Sequence, residues 1–111
     1  MKVKVAVCNK KTDKKYKNRE YDWDYLVNRN RNPVRTTETL EEYAKMSKAQ
    51  RDNAKDIGGF VGGWLKGGIR RNGCVISRIL GTLDADHIDD NNAFMLALKT
   101  ALDGVTYFLY S

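Results

Sequence analysis

Leu83-Asp84-Ala85-Asp86 closes an apolar, β-branched run (Val75-Ile76-Ser77-Arg78-Ile79-Leu80-Gly81-Thr82) with two carboxylates one residue apart. In a strand the side chains at i and i+2 share a face, so Asp84 and Asp86 are expected to project together from its end. Two such carboxylates repel each other and lose hydration unless a cation lies between them. Hard divalent ions such as magnesium or manganese prefer carboxylate oxygens. Metal-dependent phosphoryl transfer uses such pairs to hold a triphosphate. The spacing equally describes two acids that end a strand in a solvated turn, since a lone Asp-x-Asp is common. His87 follows directly, but it falls on the opposite face of a continuing strand.

The elements that must position this pair come next. Gly58-Gly59-Phe60-Val61-Gly62-Gly63-Trp64-Leu65-Lys66-Gly67-Gly68 carries three glycine pairs. No Gly-Lys-Ser/Thr closes it at P-loop spacing, and no helical pattern follows as in a dinucleotide fingerprint. Phe60, Val61, Trp64 and Leu65 suit a strand, and the glycines, Gly62 and Gly63 among them, allow another backbone or a ligand to approach closely. Lys66, Arg70 and Arg71 then fall in a basic turn that leads into a strand over 74–86, so the pair forms a Gly-rich β-hairpin. Asp89 and Asp90 are N-cap residues. Phe94, Met95, Leu98, Ala101 and Leu102 recur at helical spacing, so a helix over 90–103 is expected to pack on the sheet, ended by Asp103-Gly104. A last strand over 105–110 would complete a right-handed βαβ unit.

Upstream, Val3, Val5 and Val7 alternate with Lys4 and Ala6 and predict a short edge strand, with Lys discouraging unwanted pairing. Residues 9–17 form a lysine-rich loop, either plainly solvated or an arm that contacts phosphates. Tyr21, Trp23 and Tyr25 share one face if extended. If helical, Asp22 or Asp24 caps a turn that buries Trp23 and Leu26. Such aromatics among basic residues either stack on bases or build a small core. Arg29, Arg31 and Arg35 surround Pro33 in an expected loop. Thr39 with Glu42, and Ser47 with Gln50, are two capping boxes, and they predict two short helices over 40–46 and 48–55. The fold class expected is α/β (α+β), a small mixed sheet with short N-terminal helices.

The 111 residues suit one small domain. Charged residues make up 31% and hydrophobic ones 41%, as in an ordinary globular protein. No apolar run approaches the roughly 18 residues that span a bilayer, and the N-terminus lacks a signal-peptide core. A cytoplasmic location in a bacterial host cell is expected, with Cys8 and Cys74 as reduced thiols. The net charge of +6 is uneven. Residues 1–35 hold eleven Lys/Arg against four Asp/Glu (+7), residues 36–72 seven against five (+2), and residues 73–111 two against five (−3). A basic half of this kind attracts polyanions, nucleic acid above all.

Residues 55–64, Lys55-Asp56-Ile57-Gly58-Gly59-Phe60-Val61-Gly62-Gly63-Trp64, followed by Leu83-Asp84-Ala85-Asp86, resemble the N-terminal part of a primase-like domain. That domain occurs in phage and mobile-element replication proteins, the virulence-associated protein E-like group, and its core is similar to archaeo-eukaryotic primases. The resemblance runs along nearly the whole chain. It implies a partial primase–polymerase fold, and a single domain over 1–111 that is the N-terminal half of a larger catalytic domain. It also implies template-directed nucleotidyl transfer, with Asp84 and Asp86 as catalytic ligands for magnesium or manganese. Gly62, Gly63, Lys66, Arg70 and Arg71 become candidates for nucleotide or template binding, with nucleic acid and nucleotides as partners. In the family a Ser-x-His motif and a further aspartate complete the site. On that resemblance Ser111 would be the first residue of the Ser-x-His motif, with its histidine and the further aspartate not among these 111 residues, and this chain alone is expected to lack polymerase activity. The alternative is a stand-alone phage-encoded module that binds nucleic acid or a host protein, such as an anti-defence factor, without catalysis.

Overall fold

The computed structural model describes residues 1–109. It divides into two compact units, Met1–Gly81 and Thr82–Ser111.

The first unit is built on a three-stranded antiparallel sheet of order β2-β1-β3. Strand β1 spans Lys2–Cys8, β2 Lys17–Asp22 and β3 Gly59–Val61. The mixed α/β class expected from the sequence therefore holds, but β1 is central rather than an edge. Its register runs Val3↔Tyr21 through Val7↔Lys17 on one side and Ala6↔Val61, Val7↔Phe60 on the other. Alternation along β1 had shown one apolar face. The other face is also covered, because Ala6 is small enough to be fully buried under Leu65.

Two small cores result. On one face Val3 and Val5 pack with Leu26, joined by Tyr21, Trp23, Phe60 and Leu80. On the other, Ala6, Tyr16 and Leu65 pack with Cys8 and Val61. Helix α1, Trp23–Arg31, supplies Leu26, which is 1% exposed. The helical alternative for Trp23 and Leu26 is thus the one adopted, while Tyr21 stays in β2. Asp22 occupies the N-cap position without capping. Its carboxylate lies 3.1 Å from Lys2 Nζ instead. Arg29 and Arg31 fall in the last turn of α1, not in the expected loop. There they suit the negative end of the helix dipole.

Helices α2, Leu40–Lys45, and α3, Lys48–Lys55, follow the two capping boxes closely. Both boxes are closed in both directions: Glu42 N–H donates to Thr39 Oγ1 at 3.1 Å, and Gln50 N–H to Ser47 Oγ at 3.2 Å. Lys55 Nζ sits 5.2 Å above the Tyr43 ring and ties α3 to α2.

The expected strand over 74–86 does not form. Val75 makes one isolated bridge, to Leu65, and residues 76–88 are irregular. A strand needs a neighbour along its whole length, whereas here the amides of Ile79 and Leu80 both turn to the single Gly62 carbonyl at 3.2 Å. The hairpin itself persists in shortened form, through Ile76 N–H to the Trp64 carbonyl at 2.9 Å and Lys66 N–H to the Cys74 carbonyl.

In the second unit, helix α4 spans Asn91–Ala101, capped by Asp90, whose Oδ1 accepts from Ala93 N–H at 3.0 Å. Phe94, Met95, Leu98 and Leu102 form its half-buried stripe, but none of the helix's residues is fully buried. Residues 105–109 form no strand, so no βαβ unit exists among the described residues. Residues 110 and 111, which include the expected start of the Ser-x-His motif, lie outside the described residues.

Candidate nucleic-acid interface

The basic turn is positioned by its own backbone. Lys66–Gly68 makes one 3-10 turn in which Gly67 and Gly68 both take positive φ, +62° and +72°. A side chain at Gly68 would run into the Tyr16 carbonyl. That close approach allows Tyr16 N–H to donate to the Gly68 carbonyl at 2.8 Å. The turn is thereby fixed beside the loop that precedes β2, with the Lys15 stem against Gly68 and Arg70 Nη1 3.4 Å from the Tyr16 hydroxyl.

Asn18 completes the attachment. Its Nδ2 donates to the Leu65 carbonyl at 2.9 Å, and its Oδ1 accepts from Leu65 N–H at 3.0 Å. One strand residue thus satisfies both polar groups of a backbone whose side chain is 1% exposed.

Two basic segments far apart in sequence therefore meet. Lys14, Lys15 and Lys17 come from one, and Lys66, Arg70 and Arg71 from the other, and all six are exposed. No Asp or Glu occurs between Asp56 and Asp84. The nearby Asp13 carboxylate is engaged by the amides of Asn9 and Lys10 at 2.8 and 3.1 Å. Among the described residues the ion pair is Lys2–Asp22, so none of these six cations is neutralised by a carboxylate partner. Sequence inspection marked the lysine loop and the basic turn separately. It missed Tyr16 and Asn18, which hold them together, because a polar residue that pairs with a distant backbone leaves no local pattern.

Gly62 and Gly63 have a different surrounding from the basic residues. A side chain at Gly62 would overlap the Leu80 carbonyl, and one at Gly63 the Ser77 carbonyl. Of the two partners expected for these glycines, another backbone or a ligand, the chain's own return segment takes the space.

Asp84 and Asp86 lie in the second unit, both exposed and both in irregular chain, with Leu83 86% exposed beside them. His87 adopts φ +56°, so no strand continues through it. A hard divalent ion takes six or more oxygen donors. Among the described residues no three His, Cys, Asp or Glu side chains come together as such a donor set. Asp84 and Asp86 therefore do not fit a built magnesium or manganese centre among the described residues.

A family model described as the VapE N-terminal domain matches residues 1–111, the full chain. The chain belongs to the VapE N-terminal domain family. Membership of the VapE N-terminal domain family points to a phage or mobile-element protein. Searches of curated proteins and of solved structures gave no match. No helix described in this VapE N-terminal domain is long and apolar enough to cross a membrane.

Proposed function

We propose that this VapE N-terminal domain is a nucleic-acid-binding module of a phage or mobile-element replication protein. The observation that carries the reading is the junction at Tyr16 and Gly68, which sets Lys14, Lys15 and Lys17 beside Lys66, Arg70 and Arg71. Six exposed cations without carboxylate partners suit a phosphate backbone, which rewards such clusters by counterion release. The resemblance to primase-like proteins supports a replication setting, with template-directed nucleotidyl transfer as the activity of a longer protein. The role assigned to this chain is to grip the strand. Nucleotidyl transfer with magnesium or manganese would require donors beyond Asp84 and Asp86.

Titration of a single-stranded oligonucleotide into the isotope-labelled chain, followed by amide chemical shifts, tests the reading. Shifts are expected at residues 14–18 and 66–71. Shifts confined to residues 82–90, or none at all, contradict it. Binding of a host protein through the same cations is the alternative, and it predicts no response to the oligonucleotide.

A further inference from the structure

We propose that the indole of Trp64 is the surface on which an unpaired base of the bound strand stacks, with Lys4 as its displaceable cover. The inference rests on the basic-face reading and adds to it a contact that only a single strand can make. Trp64 is anchored in three ways. Its Nε1–H donates to the Arg19 carbonyl at 2.9 Å, its N–H to Ser77 Oγ at 3.1 Å, and its carbonyl accepts from Ile76 N–H at 2.9 Å. The backbone is thus fixed and the ring tied by its Nε1–H, two residues before Lys66, yet Trp64 belongs to neither core cluster and is half-buried.

Lys4 Nζ lies 4.5 Å from the ring centroid. A cation–π contact at such a partly exposed site is weaker than stacking of a base on an aromatic ring. A base therefore displaces the ammonium, and the freed charge pairs with the adjoining phosphate. The aromatics of the β2–α1 segment are engaged elsewhere. Trp23 and Tyr21 pack on the Val3–Val5–Leu26 core. Tyr25 lies against Tyr21, with ring centroids 4.7 Å apart. A base in a duplex is already stacked on both faces, so only a single strand can use the indole.

The test uses Trp23→Phe, in which Trp64 is the one remaining indole, together with oligo-dT and a duplex of mixed sequence. Binding is read by anisotropy of labelled nucleic acid and stacking by Trp64 emission. Oligo-dT is expected to quench Trp64 over the same concentrations that raise anisotropy, and the duplex to raise anisotropy without quenching. Trp64→Ala is expected to weaken oligo-dT binding about tenfold and to leave duplex binding unchanged. Anisotropy that saturates with Trp64 emission unchanged overturns the inference while sparing the basic face. If Trp64→Ala does not fold, that emission measurement decides alone. No anisotropy change with either nucleic acid overturns both.

Discussion

Asn18 and Leu65 are joined by two hydrogen bonds, side-chain amide to backbone, at 2.9 and 3.0 Å. The pair works as one rung of a ladder between β2 and a segment that never becomes its neighbouring strand. It seats Leu65 over Ala6, and so places the basic turn that starts at Lys66. Asn18→Ala leaves the buried Leu65 N–H unpaired, while the Leu65 carbonyl keeps Gly68 N–H at 3.1 Å. It is expected to cost about 1–3 kcal/mol in urea unfolding and to weaken oligonucleotide binding without removing a charge. Asn18→Asp keeps the acceptor for Leu65 N–H but sets a carboxylate oxygen against the Leu65 carbonyl, so it is expected to recover little of the stability lost in Ala.

The glycines give a graded test of the hairpin's packing. Gly62→Ala and Gly63→Ala put a methyl group onto the Leu80 and Ser77 carbonyls, so both are expected to disrupt the hairpin and lower the melting temperature sharply. Gly81 has nothing within reach of an added Cβ and no positive φ. There Ala is expected to be neutral or to stabilise by about 0.4–1 kcal/mol through the unfolded chain.

Thr39→Ala and Ser47→Ala each remove one half of a closed capping box. Each is expected to cost about 1 kcal/mol of local helix stability. Faster amide exchange in α2 or α3 would show it, with no change in oligonucleotide affinity.

Asp84→Ala and Asp86→Ala alter exposed residues in irregular chain. Both are expected to change stability by less than about 0.5 kcal/mol and to leave binding of a single strand intact. A tenfold loss of affinity in either variant would place these carboxylates in the interface and contradict the assignment of binding to the basic face.

What the sequence made legible was mostly local. The capping boxes at Thr39 and Ser47 gave the two short helices almost to the residue, because a cap acts within one turn. Asp90 and the Phe94–Leu98 spacing gave α4. The apolar runs at 75–83 and 105–109 misled, since β-branched composition describes a strand only where a partner supplies the other half of the ladder. Ala6 hid the centrality of β1, because a small residue marks a covered face as readily as an open one. The basic turn was visible in Lys66, Arg70 and Arg71. Its union with Lys14, Lys15 and Lys17 depends on Tyr16 N–H reaching the Gly68 carbonyl, a contact across more than fifty residues that no window of sequence displays.

The most direct test of the basic face is the salt dependence of single-strand affinity, measured for the wild-type chain and for the Lys66→Ala/Arg70→Ala/Arg71→Ala variant. Each phosphate contact on a single strand contributes about −0.7 to the slope of log K against log salt. The wild-type slope is expected to be steep, and the variant's shallower by about 2, as three lost contacts require. An equal slope in both proteins, or a flat slope in the wild type, would contradict the account.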